Sequence, residues 1–321
     1  MITVGVAARN INLGALAKVK SQRFQRKLIG GVIASVILWW LILSTSGIIS
    51  AVPMILLGLL YAHFIELQHQ CLHNTAYRST GWNRFVGVLL GLPTLVSFSD
   101  YQCSHMKHHR LLGTPADREF FNYDYESLTT MRYFIPHMLM FPHHRNVARS
   151  IACAVRGRMT RQDCTPRMAE RIRAEYQIMA VMFVAMVGIT IVFQTPMFLK
   201  LWLIPVLIAI PTHALIELPE HFGCNNKTTD VLKNTRTITA GKIAVWFTNG
   251  NNYHVEHHWL PSVPNDRFPE LHQRLSTDIK YLETSYWSFF GKFFRHMLGS
   301  KTAIPPVVEP TPAGGTYESG D

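Results

Sequence analysis

Eight histidines fall into three short clusters: His69-Gln70-Cys71-Leu72-His73, His105-Met106-Lys107-His108-His109 and His254-Val255-Glu256-His257-His258. Neutral imidazole suits zinc, copper or iron, whereas magnesium and calcium prefer oxygen ligands. On a helix, residues three and four apart share a face, so His69 and His73 stack one turn apart. In the other two clusters the fourth and fifth residues lie roughly 60° behind and 40° ahead of the first, at about 100° per residue. Three ring nitrogens can then point into one volume. A structural zinc takes only four ligands. Eight histidines exceed that need, and the spacing predicts two metal ions.

The clusters need elements to hold them, and composition indicates which. The chain has 321 residues, 48% hydrophobic and only 16% charged, with a formal charge of +11. Clustered apolar runs with so little charge predict a polytopic membrane protein. The positive residues flank apolar segments and form no stripe interleaved with aromatics, which argues for an anionic membrane surface and against nucleic acid. Spans are expected at 28–46, 48–65, 178–193 and 197–216, paired as two hairpins. Residues 85–98 are apolar but short and interrupted by Gly91 and Pro93, which predicts an interfacial or re-entrant segment.

Lys18, Lys20, Arg23, Arg26 and Lys27 precede the first run and predict a cytoplasmic N-terminus, with no secretory signal. The Arg-rich stretch 101–177 is then cytosolic, and so is everything after Glu217. This topology puts all three clusters where helices leave the lipid on the cytoplasmic side. The expected fold is an all-α membrane protein with four transmembrane helices in two hairpins. Interfacial helices and a cytosolic helical cap carrying the metal site complete it. Residues 1–27 are expected as a basic cytosolic lead-in, 28–302 as one domain and 303–321 as a disordered Pro/Gly-rich tail.

Five cysteines without C-x-x-C spacing read as reduced thiols, and a helix turns Cys71 away from the His69/His73 face. Carboxylates are expected nearby, because partners of the outer ring nitrogen fix a ligand's tautomer and orientation. Glu66, Asp100, Asp117, Glu217 and Glu256 are the candidates, with a solvated surface role as the alternative for Asp117 and Glu256. His213 lies four residues before Glu217, but Pro219 lacks an amide hydrogen and is expected to disturb the helix they share. His63 reads as hydrogen-bonded or channel-lining, and His143-His144 as packing at the membrane surface. His137, His272 and His296 carry no specific signal.

The boxes HQCLH, HMKHH and HVEHH resemble those of the membrane fatty acid desaturase and hydroxylase superfamily. Their contexts are similar too: HNTAYRS after the first, HHRLLGTPAD from the second and NGNNYHVEHHWLPSVPNDRFPELH around the third. The likeness covers most of 61–275 and is nearest to bacterial acyl-lipid desaturases. It implies a non-haem di-iron centre that binds O2 as co-substrate. It also implies a ninth histidine in an H-x-x-G-like context, which His221 in Glu220-His221-Phe222-Gly223 matches. The implied ligands are His69, His73, His105, His108, His109, His221, His254, His257 and His258, with Glu66, Asp100, His213, Glu217 and Glu256 around them. Relatives often carry Asn four residues before the ninth histidine; this chain has Glu217 there.

The implied activity is removal of hydrogen from an unactivated methylene of a long-chain lipid or acyl substrate. Desaturation is favoured over hydroxylation or ketolation of a fatty acyl, hydrocarbon or carotenoid substrate. No His-Pro-Gly-Gly motif of a fused cytochrome b5 is present. Electrons are therefore expected from a separate ferredoxin, rubredoxin or cytochrome b5; basic loops around 145–173 suit docking of such an acidic partner and, equally, contact with lipid. A zinc-dependent hydrolase or receptor would leave most of the histidines unexplained. A transporter would place its polar groups near mid-membrane, not at helix ends.

Overall fold

The computed structural model describes residues 13–19, 21–118, 120–121, 128, 130–159 and 161–299. The start of the expected lead-in and the expected tail lie outside the described residues. Among these residues, four helices are long and apolar enough to cross a bilayer: Ser21–Ser44, Gly47–Leu72, Pro166–Val192 and Phe198–His221. The first is α1; the second is a short 3-10 turn, Gly47–Ser50, running into α2 (Ala51–Leu72). The chain then forms α3 (Thr80–Gly91), α4 (Phe98–Leu111), α5 (Met131–Met138), α6 (Phe141–Val155) and α7 (Pro166–Val192). A π-helical turn, Phe198–Leu203, leads into α8 (Ile204–His221). The last part is short: β1 (Arg236–Ile238), α9 (Lys242–Phe247), α10 (His254–Trp259), α11 (Phe268–Leu275), β2 (Tyr281–Glu283) and α12 (Tyr286–Met297).

The spanning helices outrun the apolar stretches that mark them. Hydropathy reports the lipid-immersed part, whereas the helix continues wherever caps and packing satisfy its polar turns. Helix α1 begins at Ser21 and buries Phe24 in the core, so the last part of the expected basic lead-in is helical. Helix α2 carries on into the first box as far as Leu72, and α8 runs to His221. Helix α7 starts at Pro166 because the Thr165 hydroxyl accepts from the amide of Met168, and proline at the first turn sacrifices no hydrogen bond. The 80–91 segment is a short amphipathic helix, capped by the Ser79 hydroxyl accepting from Trp82 N–H.

Helices α2 and α8 form the axis of the molecule. They approach closely at Gly58, where a Cβ would stand 2.6 Å from Ile208 Cβ and 2.7 Å from the Pro205 carbonyl oxygen. Small residues at such crossings let backbones pack without a hydrophobic drive from water. The Tyr61 hydroxyl donates to the Leu201 carbonyl at 3.0 Å and Trp202 Nε1 to Pro93 O at 2.8 Å, so the second half of the π-helical turn is anchored. Ile29, Val32, Ile33 and Val36 on α1 and Val181 and Val184 on α7 stay exposed, as lipid-facing side chains should.

One departure from an all-helical plan is a two-stranded parallel pairing of β1 with β2, in register Arg236↔Tyr281, Thr237↔Leu282 and Ile238↔Glu283. Arg236 is almost fully buried there. Its guanidinium donates to the carbonyls of Pro219 and Phe222 and lies 4.9 Å over the Phe289 ring. One carbonyl of the last turn of α8 and the one just beyond its end are thereby satisfied. The expected disturbance at Pro219 does not end the helix, which runs on to His221 and keeps His213 and Glu217 on one face.

Candidate metal centre

Each histidine cluster rides on its own helix, and the fold brings the three together. His69 lies in the last turns of α2 with His73 just beyond, His105, His108 and His109 lie on α4, and His254, His257 and His258 on α10. His221, the last residue of α8, joins them. Ligand nitrogens of His69, His73, His105 and His257 all lie within 4.8 Å of one another; so do those of His108, His221 and His258, and those of His109, His257 and His258. His257 is thus shared by the first and third groups and His258 by the second and third, with His109 between them. His254 attaches to the second, its Nε2 lying 3.2 Å from His221 Nε2 and 3.1 Å from His258 Nε2. Among the described residues these groups contain no cysteine, and Cys71 is buried with a free thiol.

Partners on the far ring nitrogen decide which nitrogen faces inward. His69 Nδ1 donates to Asn251 Oδ1 at 3.1 Å, His108 Nδ1 to Asp117 at 3.0 and 3.1 Å, and His221 Nδ1 to the Asn234 carbonyl at 3.2 Å. With the proton on Nδ1, each of these rings turns a lone pair inward on Nε2. The consequence is sharpest at His105, whose Nε2 lies 2.8 Å from that of His69 and 3.0 Å from those of His73 and His109. A single N–H can serve one of three such neighbours, so lone pairs meet at hydrogen-bond distance. A cation relieves that contact, and an all-nitrogen donor set fits iron, zinc or copper better than magnesium or calcium.

Burial favours the same state. His105, His109, His254, His257 and His258 are held well below the usual imidazole range, chiefly because burial disfavours the charged ring and then because neighbouring imidazoles repel a second charge. Neutral imidazole is the ligand form.

The carboxylates divide into several roles. Asp117 meets His108, as above. Glu66 Oε2 accepts from Asn251 Nδ2 at 2.6 Å, and its Oε1 accepts from His213 Nδ1 at 3.1 Å. The other face of His213 has Nε2 3.1 Å from Glu217 Oε1. His213 is therefore clasped between two carboxylates and belongs to none of the three ligand groups. Glu220 reaches the site as well, with Oε2 3.2 Å from His254 Nε2. Asp100 does not meet a histidine: its carboxylate binds Arg161 Nη1 at 2.6 Å and the Tyr176 hydroxyl at 2.7 Å, bracing α4 against α7. Glu256 faces away from the box histidines beside it, toward His272 and the Thr237 hydroxyl.

Several contributors carry little sequence signal. Asn251 joins His69 to Glu66, and Asn249 donates to Gln70 Oε1 at 2.9 Å, so the loop before the third box is sewn to the first. The turn that allows this places Asn249 and Gly250 at φ 53° and 85°, a left-handed pair to which Asn-Gly is suited. The signal was the run Asn249-Gly250-Asn251-Asn252 itself. His272, without any motif, fixes Glu256. His143 is not at a surface: it is buried against Phe120 and Phe121, and Phe121 packs on His213 at 4.6 Å between ring centroids. Its neighbour His144 is the half-exposed member of the pair. His63 is buried, with Nδ1 2.6 Å from the Phe247 carbonyl oxygen and its ring stacked on Trp246.

No curated protein matches the chain. Residues 46–290, which include all nine clustered histidines, match the family model described as fatty acid desaturase, and the chain belongs to that family.

Proposed function

We propose that this protein is an O2-dependent fatty acyl desaturase in which nine histidines hold two iron ions. Family membership makes it a membrane oxidoreductase of the desaturase–hydroxylase type with a lipid or acyl substrate. The single observation that supports the finer reading is the convergence of ring nitrogens. Three groups of them are linked through His257 and His258, which is more than one ion needs. When bound, a non-haem iron pair supplies the O2 chemistry that removes hydrogen from an unactivated methylene.

The chain's own residues have separable tasks in this reading. His69, His73, His105 and His257 hold one position, His108, His221, His254 and His258 the other, and His109 stands between. Asn251, Asp117 and the Asn234 carbonyl keep the protons of His69, His108 and His221 on Nδ1. Glu66 and Glu217 keep negative charge close to a dication pair that neutral imidazoles do not cancel. Burial of His105, His254 and His257 excludes bulk water from the reacting volume.

The same reading treats 28–302 as one catalytic domain with both termini and the site on the cytoplasmic face. Arg23, Arg26 and Lys27 at the start of α1 and Arg167, Arg171 and Arg173 at the start of α7 support it by the positive-inside rule. The basic surface from 145 to 173 would dock an acidic electron donor of ferredoxin, rubredoxin or cytochrome b5 type.

Purified protein is expected to carry close to two irons per chain and to yield an alkene from a saturated acyl substrate, read by metal analysis and mass spectrometry. One zinc per chain without O2-dependent turnover refutes the iron assignment. An alcohol as the main product keeps the metal centre and overturns desaturation.

A further inference from the structure

We propose that a pocket at the basic end of α1, separate from the histidine centre, binds the phosphate group of an anionic phospholipid. The pocket encloses about 380 Å³ between the first turns of α1, helix α9 and the loop preceding α10. Three cationic side chains line it, Arg23 and Lys27 from α1 and Lys242 from α9, against one carboxylate, Asp266. Asp266 lies 3.6 Å from Arg23, so it offsets part of that charge and leaves an excess of cations. Lys27 is drawn inward, its Nζ 2.9 Å from Asn249 Oδ1 and 3.3 Å from the Trp246 carbonyl oxygen. A phosphate oxygen is a stronger acceptor than either of these neutral groups, and guanidinium with ammonium is the donor set that phosphate takes.

The walls indicate an amphiphile. Phe24, Val245 and Trp246 line the same pocket. Around it the apolar surface is open: Ile29 on α1 is 57% exposed, Ile243 on α9 is 86% exposed, and α9 has no buried residue at all. A short helix that shows isoleucine and tryptophan outward beside the polar end of a membrane span sits at headgroup depth. A lipid tail would follow the exposed face of α1 while its phosphate enters the pocket. A soluble phosphoester shares the headgroup chemistry but would leave that apolar rim uncovered.

Occupancy would reach the first histidine box, because Gln70 itself lines the pocket. Asn249, which receives Lys27, also donates to Gln70 Oε1 and, at 3.3 Å, to the Glu66 carbonyl.

The test uses the full-length protein in detergent, titrated with short-chain phosphatidylglycerol, short-chain phosphatidylcholine or glycerol phosphate, with native mass spectrometry as readout. Phosphatidylglycerol should bind most tightly. Lys242→Gln, an exposed substitution, should weaken it about fivefold, as one cation near a membrane surface does, and adding Arg23→Gln should weaken it about fivefold again. Metal content and melting temperature should not move in Lys242→Gln. Equal binding of the two lipids, or wild-type affinity in the double variant, overturns the proposal. Glycerol phosphate binding as tightly as phosphatidylglycerol overturns the lipid assignment in favour of a soluble phosphoester.

Discussion

Replacing His213 by Leu should cost far more stability than the loss of one packed ring. The ring is almost wholly buried, with Nδ1 3.1 Å from Glu66 Oε1 and Nε2 3.1 Å from Glu217 Oε1. A carboxylate facing each nitrogen favours a hydrogen on both, which makes the ring a cation clasped by two acids. Leucine preserves bulk and apolar contact; its loss of the edge contact with Phe121 accounts for about 0.5–1.5 kcal/mol. What it cannot replace is the charge. Glu66 retains Asn251 Nδ2 at 2.6 Å, but Glu217 Oε1 loses its ion-pair partner. Removing one partner of a buried pair costs about 3–5 kcal/mol, because the other charge stays behind. At roughly 2–4 °C per kcal/mol, His213→Leu should melt about 6–20 °C lower.

Differential scanning fluorimetry in detergent reads this, and a second variant separates charge from packing. The triple substitution His213→Leu, Glu66→Gln, Glu217→Gln keeps the shapes and removes both stranded charges, so it should recover most of the lost melting temperature. If His213→Leu melts within about 2 °C of wild type, or the triple variant is worse than the single, the charge-clasp reasoning is wrong.

Two further outcomes follow from the ring partners and from burial. Asp117→Leu removes the acceptor that holds the His108 proton on Nδ1, so metal affinity measured by chelator competition should fall about 10–100-fold while the protein still inserts; unchanged affinity would mean that Asp117 does not orient the ring. Acidification should destabilise the metal-stripped protein. Burial lowers His143 to about 3, against about 6.5 in an unfolded chain. Below pH about 6.5 the unfolded state therefore binds the extra proton, and stability falls with falling pH. At pH 5.5 this one residue accounts for on the order of 1 kcal/mol, and the lowered histidines of α4 and α10 add in the same direction. A His143→Phe variant should lose part of the pH 7.5-to-5.5 drop in melting temperature, and an undiminished drop would refute its share.

Much of this was legible because metal ligation and membrane insertion both write strong patterns. Eight imidazoles at helical spacing and four apolar runs need no tertiary information to be seen. What stayed hidden depends on contacts between segments far apart in the chain. Pro219 reads as a disturbance of its helix, yet α8 runs through it to His221 and its carbonyl is taken by Arg236 from β1. Asp100 and Glu256 sit beside box histidines in sequence, yet helix geometry aims them at Arg161 and His272. His143 looks interfacial among arginines, while the fold turns its face onto Phe120 and Phe121. Spacing along one helix gives a face; it does not say what lies opposite.

The division of labour among the supporting elements explains why the ligands are spread over four helices. Helices α2 and α8 are membrane spans that cross at Gly58, and they deliver His69 and His221 from a frame fixed independently of the site. Helices α4 and α10 lie outside the spans, and their positions depend on polar ties: Asp100 with Arg161 and Tyr176 for α4, Asn252 with the Ile238 carbonyl and Thr237 with Glu256 for α10. Each tie is buried or half-buried, so an unmade bond would leave an unsatisfied polar group, at a cost of about 1–3 kcal/mol. A cap held that way can bring lone pairs into mutual contact, because the ties and the apolar core oppose their repulsion. A cap resting on apolar packing alone would slide until the imidazoles separated. The carboxamides and carboxylates around the histidines therefore divide two tasks: Asn251 and Asp117 choose the tautomer, and Asp100, Asn252 and Glu256 hold the helices close enough for the choice to matter.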